Sequence, residues 1–581
     1  MLRRSLPIQV LTLSLLAWPA WAQDSARPTP RTAEAATPSA PQQPAGPTDP
    51  TPDTAAPALT KVPPAAPTAA TPGSPPSPAV AEASPPPPPL SPAFAERLAT
   101  NGKLSAGDRA DRQALAKFYE ARKSEPVWVT ESGFTPAASA AIAEIARADD
   151  WGLKASAFSL PSLPPSGGTA LAPDQRADAE IALSLAILKY ARYARGGRTE
   201  PTSLSRNLDR KPPLLDPEQA IEAAAASPQP DAYLRSLHPQ HPQFEALRRK
   251  YLELRRGQPV AESETADKEP GKKSRKAKTA TPSREALLQK ILVNMEEWRW
   301  MPPDLGKFYV WVNVPEFLLR VVNDGSVLET ERVVVGKPDK QTPIFSDEIE
   351  QVIFHPFWGV PDSIKAEELL PSLARGRMSV LDRNNLKVQY RGRNIDPESV
   401  DWTRADMRNF HIYQPPGGKN VLGVVKFRFP NKHDVYMHDT PDKNLFNASV
   451  RAFSHGCMRV RNPQKFAELL LNKDQGWTPE RVAAAVRRGP DNNQINLVQK
   501  IPVHITYFTA SVNAEGKLEL FRDLYGHEKR IALGIEGKAY LIPHPKEETS
   551  PRRAAPDDLP PMVSADRRGR GDWRRRVFED F

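Results

Sequence analysis

Cysteine is nearly absent from this chain, since its 581 residues contain only Cys457. A single cysteine excludes a disulfide framework within the chain, and it excludes zinc sites built from paired cysteines. Long hydrophobic runs are also missing, because the apolar stretch at residues 8–16 is shorter than the ~20 residues that span a bilayer. The sequence therefore excludes a membrane-embedded bundle and a small disulfide-stabilised fold.

Residues 1–22 have the pattern of a secretory signal peptide. A basic start at Arg3 and Arg4 precedes the apolar stretch, and Ala20-Trp21-Ala22 forms a small-x-small cleavage site. We therefore predict export, with an uncleaved anchor as the alternative and no membrane span after cleavage. In an oxidising compartment an unpaired thiol is a liability unless it is buried or takes part in chemistry, which makes Cys457 a candidate for chemistry.

Aromatic residues are missing from residues 23–92, which hold 22 of the 64 prolines. Such a segment cannot bury enough apolar surface to fold, so we predict an extended linker. Low apolar content also predicts disorder for the lysine-rich residues 258–281 and for the basic tail at residues 546–581. The folded part of the chain is therefore expected between these segments.

The formal net charge is +10. This charge indicates either a solvated basic surface or attraction to an anionic polymer. A nucleic-acid partner is disfavoured, because the chain carries an export signal and has no zinc-finger or aromatic-basic signature.

Hydrophobic periodicity divides the folded part into two regions. Residues 93–257 are mostly helical by pattern, with helices predicted near 108–122, 136–148, 176–195 and 242–255. A further helix is predicted to begin at Thr281-Pro282, and the period changes to strands from residue 307, with a hairpin turn at Asn323-Asp324-Gly325. We predict an α+β multidomain protein, with a helical domain at 93–257 and a β-rich domain of mixed sheets at 282–545, whose core covers about 307–490.

Two histidines, His238 and His241, lie in a proline-rich stretch of the helical region. They lack the spacing of further metal ligands, so we interpret them as structural.

The chemistry-bearing residues cluster in residues 436–463, with the sequence YMHDTPDKNLFNASVRAFSHGCMRVRNP. Cys457 is a candidate nucleophile, and His438 or His455 is the candidate base, because an imidazole can take the thiol proton and return it to a leaving amine. Gly456 removes side-chain bulk and allows backbone N–H groups to face a bound carbonyl. The alternatives are a buried, inert thiol, or a zinc site of the same cysteine and histidines, which no paired-ligand spacing supports.

The residues around His438 are predicted to form a strand that leads into the site. Alternate residues of a strand share a face, so Tyr436 lies on the side of His438, while Met437 and Asp439 point away. Asp439 is therefore a poor third member of a catalytic triad, and a backbone carbonyl is expected to orient the imidazole instead.

The whole string resembles the signature of the L,D-transpeptidase catalytic (YkuD-type) family. That signature is a His and, after a spacer, Ser/Thr-His-Gly-Cys, an apolar residue and Asn or Arg. The chain has His438 followed by Ser454-His455-Gly456-Cys457-Met458-Arg459. Further similarity at Trp358-Gly359-Val360-Pro361 and Phe429-Pro430-Asn431 resembles the large Gram-negative (YcbB-like) branch, over roughly residues 100–545.

The resemblance implies a periplasmic cysteine L,D-transpeptidase that uses no metal or cofactor. It also implies that residues 93–257 are a helical scaffold domain and that residues 364–412 contain a lid-like insertion. In the family the cysteine attacks the tetrapeptide stem of peptidoglycan, releases D-Ala and transfers the acyl group to an amine, which gives a 3→3 cross-link. Other members use water, free D-amino acids or an amine of an outer-membrane protein as acceptor, and the sequence does not choose among them.

The resemblance also assigns roles to single residues. It implies that Cys457 is the nucleophile, that His438 is the base and then the acid, and that backbone N–H groups of His455, Gly456 and Cys457 form the oxyanion hole. Arg459 is expected to hold a substrate carboxylate, to shape the loop or to form a structural ion pair, and Ser454 is expected to shape the loop through a hydrogen bond. Tyr436 is expected to face the substrate.

Two other function classes are disfavoured by the residues themselves. In papain-like peptidases the Cys precedes its His by more than a hundred residues, whereas here His438 precedes Cys457 by 19. A non-catalytic wall-binding protein would not need both residues. Members of the branch often carry a peptidoglycan-binding module where this chain has only residues 258–281, so the basic charge there is expected to substitute for it in part.

Overall fold

The computed structural model describes residues 93–98, 104–163, 170–260 and 282–543. The predicted signal, the proline-rich linker, nearly all of the lysine-rich segment and the basic tail lie outside these residues. Within the described part, no helix combines the length and the apolar character that crossing a membrane requires.

Helices form the first half of the described chain. Their bounds are α1 Ala93–Leu98, α2 Ala106–Ala121, α3 Pro136–Ala146, α4 Pro173–Gly196, α5 Pro201–Leu204, α6 Pro217–Ala226, α7 Pro230–Ser236, α8 Pro242–Arg255 and α9 Arg284–Arg299, with a short hairpin of β1 Val129–Thr130 and β2 Gly133–Phe134. The four predicted helices match α2, α3, α4 and α8. One core cluster is built around α4, and the expected inner face of α8 is buried at Phe244, Leu247, Tyr251 and Leu254.

The start of α9 differs from the prediction. The N-cap is Ser283, whose side chain accepts a hydrogen bond from the Ala286 N–H at 3.2 Å, rather than Thr281. A serine oxygen satisfies one of the free N–H groups of the first turn, and Pro282 then precedes the cap. The helix packs against α8, and both helices share a core cluster with residues of the β-rich region such as Phe508. This cluster joins the two regions.

Strands dominate the second half. The larger sheet contains β3 Phe308–Asn313, β4 Leu318–Asn323, β5 Ser326–Gly336, β6 Ser346–Phe354, β11 Val425–Arg428, β12 Met437–His438, β13 Ala452–Ser454, β14 Met458–Val460 and β15 Asn493–Thr506. Its order is β13-β5-β14-β12-β11-β6-β15-β3-β4, with β5 also paired to β4. Because the first part of β5 pairs with β4 and its last part with β14 and β13, the sheet closes on itself. Parallel and antiparallel pairs occur together, which confirms the predicted mixed sheet.

The predicted hairpin turn joins β4 and β5. Asp324 and Gly325 both have positive φ, +47° and +76°, as a two-residue turn between right-twisted strands requires. The predicted strands near 503–510 and 517–522 correspond to the end of β15 and to the pair β16 Ala510–Val512 and β17 Leu518–Leu520. The helices that complete this half are α13 Pro463–Gln475, α14 Pro479–Arg487 and α15 His527–Ile535.

Residues 358–414 form an inserted subdomain with its own core. It contains a sheet of β7 Trp358–Gly359, β10 Phe410–Gln414, β8 Lys387–Tyr390 and β9 Arg393–Asn394, and the helices α10 Asp362–Ile364, α11 Leu370–Leu373 and α12 Ser379–Arg383 around the π-helical turn Lys365–Leu369. Its buried residues, among them Trp402 and Phe410, form a cluster separate from the main sheet. This subdomain lies where the lid-like insertion was expected.

Candidate active site

Cys457 lies in a short loop between β13 and β14. The Ser454 hydroxyl closes the loop, because it accepts the Gly456 N–H at 3.1 Å and donates to the Cys457 carbonyl at 2.5 Å. The Ser454 carbonyl in turn accepts the Lys337 N–H at 3.0 Å, which ties the loop to the end of β5. Ser454 therefore shapes the loop, as predicted.

Gly456 has φ +121°, a conformation that side chains rarely adopt. A Cβ at this position would lie 3.4 Å from the Gln341 carbonyl oxygen and 3.5 Å from Val435 Cγ1. The tight turn before Cys457 thus depends on glycine mainly because of its backbone angle.

His438 and Cys457 are brought together by the parallel pair β12–β14. Met437 pairs with Met458, and both side chains are fully buried in the main core. Since neighbouring residues of a strand face opposite sides, His438 and Cys457 both lie on the other face. Tyr436 shares that face, with its ring centroid 5.7 Å from the His438 ring. This arrangement confirms the predicted alternation along β12.

The His438 ring is buried and oriented by backbone. Its Nδ1 lies 2.5 Å from the Asp439 carbonyl oxygen, so Nδ1–H donates there and Nε2 is left to accept a proton. Burial, with the positive charges of Arg459 and Lys426, lowers the pKa of His438 to about 3. A neutral imidazole is the form that can act as a general base.

The Asp439 carboxylate does not contact the imidazole. It accepts the Val424 N–H at 3.0 Å and pairs with Lys443 at 2.5 Å. The structure thus agrees with the prediction that Asp439 points away and that a carbonyl orients the ring.

The Cys457 thiol is partly exposed and makes a long contact of 3.9 Å with the Asp434 carbonyl oxygen. Burial and the neighbouring Cys457 thiol raise the pKa of the Tyr436 hydroxyl, and the Trp358 side chain of the inserted subdomain acts in the opposite direction. The low-polarity surroundings raise the pKa of Cys457 to about 11, although nearby Lys426 acts in the opposite direction. The resting site therefore holds a neutral thiol beside a neutral imidazole.

Arg459 pairs with His438 across β14 and β12, and the two side chains share a face. Among the described residues, no carboxylate lies within ion-pair distance of its guanidinium, and its buried Nε has no hydrogen-bond partner. Burial lowers the pKa of Arg459, and the negative charge of Asp442 acts in the opposite direction. The structural ion pair considered for Arg459 is thus not formed.

The other two arginines of the motif are structural. Arg451 donates to the carbonyls of Val333 and Phe317 at 3.3 and 3.1 Å, and Arg461 Nε lies 2.6 Å from Glu331.

His455 has a different environment from His438. Its Nε2 lies 2.7 Å from Glu368 Oε1, in the π-helical turn of the inserted subdomain. A second ion pair of 2.8 Å joins Lys340 to the neighbouring Glu367. The imidazole of His455 therefore attaches the insertion to the loop at residues 454–457, which we call the nucleophile loop after its candidate nucleophile. The Nε2 of this ring is already paired with Glu368.

The predicted set of oxyanion donors needs one correction. The Gly456 N–H is bound by Ser454, so it is not free for a substrate oxygen. The Gly456 carbonyl accepts the Thr342 hydroxyl at 2.7 Å, and because a trans peptide holds C=O and N–H on opposite sides, the Cys457 N–H faces away from Thr342. The Cys457 N–H is accordingly the best-placed donor in the loop.

The two histidines of the proline-rich stretch have structural contacts. His238 Nε2 lies 3.0 Å from the Tyr190 hydroxyl, and its ring stacks on Trp151 at 4.2 Å. His241 caps α8, since its Nδ1 accepts the Gln243 N–H at 3.2 Å. Over the described residues, no group of three or more possible metal ligands comes together, at Cys457 or elsewhere.

Sequence reasoning missed four residues that shape this site: Trp358, Thr342, Lys426 and Tyr525. Only Trp358 had a signal, in the Trp358-Gly359-Val360-Pro361 string. Lys426 pairs with His438 on β11, and its Nζ lies 4.4 Å from the Tyr436 ring centroid. Lys426 could be found only from the pairing of β11 with β12, which places it beside His438.

Two family models match the chain. Residues 307–483 match the model of the L,D-transpeptidase catalytic domain, and residues 113–250 match the model of the scaffold domain. The first match contains β3–β14 with the candidate site, and the second covers most of the helical region. Both agree with the resemblance noted in the motif.

A curated protein and several solved structures are similar to parts of the chain. A Haemophilus influenzae protein named "Putative L,D-transpeptidase" is 30% identical over 247 residues, which are 42% of this chain and 50% of that protein. This chain thus spans about half the length of that curated relative. Solved structures include an L,D-transpeptidase from Mycobacterium smegmatis (12% identity, 34% of this chain and 58% of that one, TM-score 0.17). L,D-transpeptidase 3 from Mycobacterium tuberculosis, in complex with a faropenem-derived adduct, is similar at 11% identity, over 34% of this chain and 60% of that one, with a TM-score of 0.17.

Proposed function

We propose that this protein acts as an L,D-transpeptidase on peptidoglycan, on the premise that residues 307–483 are an L,D-transpeptidase catalytic domain, accompanied by a scaffold domain at residues 113–250. One observation carries the proposal. His438, oriented by the Asp439 carbonyl, shares the outer face of the β12–β14 pair with Cys457. This is a nucleophile beside a base whose tautomer is fixed.

The first half-reaction is acylation. The Cys457 sulfur attacks the carbonyl that links the third stem residue to the terminal D-Ala, while the thiol proton passes to His438 Nε2. The Cys457 N–H stabilises the oxyanion, and preorganised donors of this kind contribute about 10²–10³ in rate. The C–N bond then breaks, the imidazole returns its proton to the nitrogen, and D-Ala leaves a thioester on the enzyme.

The second half-reaction reverses these roles. An amine of a second stem attacks the thioester, His438 takes its proton, and the thiol is regenerated as the new amide forms. With a diaminopimelate amine the product is a 3→3 cross-link, and transfer to a protein amine by the same chemistry would attach that protein to the wall. In each case Arg459, which lacks an acidic partner in the described residues, is placed to hold a stem carboxylate.

We place the reaction in the periplasm on the strength of the signal-like residues 1–22. Sequencing the N-terminus of the protein isolated from cells tests this location, because export with cleavage leaves a mature chain that begins after Ala22.

The activity is tested with purified protein and a disaccharide-tetrapeptide. We expect release of D-Ala and formation of dimers whose tandem mass spectra show 3→3 linkages. A carbapenem should add once, at Cys457, because His438 can take the thiol proton during attack and the Cys457 N–H can stabilise the oxyanion. A protein that releases no D-Ala and forms no carbapenem adduct, although folded by circular dichroism, would contradict the proposed activity.

A further inference from the structure

The nucleophile loop is supported from beneath by a closed ring of buried hydrogen bonds. The Thr342 hydroxyl donates to the Gly456 carbonyl at 2.7 Å and accepts the Gly336 N–H at 2.9 Å. The Thr342 N–H donates to the Tyr525 hydroxyl at 3.2 Å, and that hydroxyl donates to the Gly336 carbonyl at 2.6 Å. Every hydroxyl has one donated bond and one accepted bond, so the ring fixes the direction of each proton.

The ring is protected from water. Thr342 is fully buried, and Tyr525 is 7% exposed. Burial raises the pKa of Tyr525 to about 12, so its hydroxyl remains a donor at neutral pH. A Cβ on Gly336 would lie 2.1 Å from the Lys340 carbonyl oxygen, which shows how closely the chain turns here. Buried bonds of this kind leave their partners unsatisfied when one member is removed.

Tyr525 is itself held in place by the last described segment of the chain. Its ring stacks on Tyr507 at 5.5 Å, and its N–H donates to the Tyr507 hydroxyl. Tyr507 also contacts Asp523 at 2.9 Å, and His527 lies edge-on to both tyrosine rings. This aromatic group lies beyond residue 483, where the match to the catalytic-domain model ends.

We propose that Tyr525 is a positioning residue of the site: through Thr342 it sets the orientation of the Gly456–Cys457 peptide, and so aims the Cys457 N–H at the oxyanion. This inference rests on the proposed function. The carbonyl of that peptide is bound on the buried side, so the N–H on its opposite side faces the substrate. Without the Tyr525 hydroxyl, Thr342 keeps its bonds to Gly456 and Gly336 but its backbone N–H loses its partner, so the orientation of the Gly456–Cys457 peptide is less tightly fixed.

Two reactions of the Cys457 sulfur distinguish a role of Tyr525 in positioning the oxyanion donor from a role in supporting the fold. Acylation by a carbapenem or a stem peptide passes through an oxyanion, whereas alkylation by iodoacetamide is a displacement at carbon and forms none. Loss of oxyanion alignment therefore slows the first reaction and spares the second. A change in thiol exposure or in overall folding moves both rates together.

The variant is Tyr525→Phe, which keeps the ring and removes the hydroxyl. We expect acylation to slow by about 10–10², less than the ~10²–10³ for a donor that is deleted outright, with the alkylation rate within about twofold of wild type. Tyr190→Phe is the matched control, since Tyr190 is also a buried, hydrogen-bonded tyrosine but lies in the helical region. It should change neither rate.

Thr342 supplies an independent test. Thr342→Val should reproduce the selective loss of acylation, and Thr342→Ser, which retains the hydroxyl, should restore it. The double variant Thr342→Val with Tyr525→Phe should lose little beyond the single variants, because residues of one network are not additive. If Tyr525→Phe does not fold, the comparison of Thr342→Val with Thr342→Ser tests the inference without it.

The inference is overturned if the wild type is acylated and both hydroxyl-deleting variants are acylated equally fast, or if acylation and alkylation fall in parallel. A wild type that is not acylated at all would instead refute the proposed function.

Discussion

His455 and Glu368 form an ion pair in which Nε2 and Oε1 are 2.7 Å apart. The other histidine of the motif, His438, donates from Nδ1 to the backbone carbonyl of the next residue, Asp439. One imidazole is therefore engaged by a carboxylate of the inserted subdomain, and the other keeps its Nε2 for proton transfer beside Cys457. This difference in partners supports our proposal that His438, rather than His455, is the base.

Replacing each histidine tests the assignment. His438→Ala should slow acylation by about 10² or more, because general-base catalysis contributes ~10²–10⁴. His455→Ala should be milder, since its backbone N–H remains and only the contact to Glu368 is lost. Stopped-flow acylation by a carbapenem measures both. A dead His455→Ala enzyme beside an active His438→Ala enzyme would mean that the base is misassigned.

Cys457→Ala should abolish turnover and leave the fold intact, because the thiol is partly exposed and its removal creates no core cavity. The melting temperature should stay close to that of wild type while D-Ala release disappears. Turnover at the wild-type rate by the purified variant would rule out this sulfur as the nucleophile.

The reactivity of the thiol should depend steeply on pH. The surroundings raise the pKa of Cys457 to about 11, so the thiolate fraction at neutral pH is small and grows about tenfold per pH unit. Iodoacetamide alkylation should therefore still rise between pH 8.5 and pH 10, where a free thiol of pKa ~8.5 levels off. The urea-unfolded protein serves as the control. A plateau below pH 8 in the folded protein would contradict the raised pKa.

Acid should destabilise the fold before it protonates most carboxylates. Burial lowers the pKa of His504 to about 4 and that of His527 to about 3, so the unfolded chain binds protons first as the pH falls below about 6.5. Each such group costs about 1.4 kcal/mol per pH unit between its unfolded and folded pKa values. Urea unfolding at pH 7.5 and 5.5 should show this loss of stability.

His527→Phe gives the control for the acid effect. The His527 ring is buried, and neither of its nitrogens has a hydrogen-bond partner in the described structure, so an apolar ring of similar size fits the site chemically. This variant should lose less stability on acidification than wild type. An equal loss would show that His527 is not among the groups responsible.

Gly456→Ala should impair the site more than it impairs the fold. The positive φ of +121° strains any side chain, at a cost of about 1–3 kcal/mol, which the loop can relieve only by turning the peptide that carries the Cys457 N–H. The control is Gly516→Ala, because Gly516 also has positive φ, +72°, but its Cβ would meet nothing within 4 Å. Acylation should fall in the first variant only. Similar rates in both would show that the loop tolerates the change.

The sequence predicted the helices of the first half because their apolar faces repeat with helical period and their ends carry local signals. The alternation around His438 likewise placed Tyr436, Met437 and Asp439 on the correct faces of β12. The motif brought Ser454 and Cys457 into one loop, since these features depend on residues close together in the chain. Local pattern was therefore sufficient for the nucleophile loop and the strand beside it.

Features that depend on distant parts of the chain were not predictable in this way. Thr342 and Tyr525 meet beneath the loop although they are far apart in sequence, and no pattern marks either of them. The hydrogen bond from the Gly456 N–H to Ser454 was missed for a different reason. The oxyanion donors were assigned as a set, and only the structure shows that one of these N–H groups already has a partner. Likewise Glu368 comes from the insertion, whose packing no periodicity describes.

The position of β15 also fixes the order in which the molecule can be completed. This strand lies between β6 and β3 and runs parallel to β3, pairing Val503 with Val310 about 190 residues earlier. Until the chain has been made or exported as far as β15, both neighbours remain open edges that can pair with other chains. A chain that stops at residue 483 would hold the whole motif, with β3 joined to β6 only the long way round through β4 and β5, and would still lack the strand that closes the sheet between β6 and β3. We therefore expect the sheet of the catalytic region to be completed only late in synthesis.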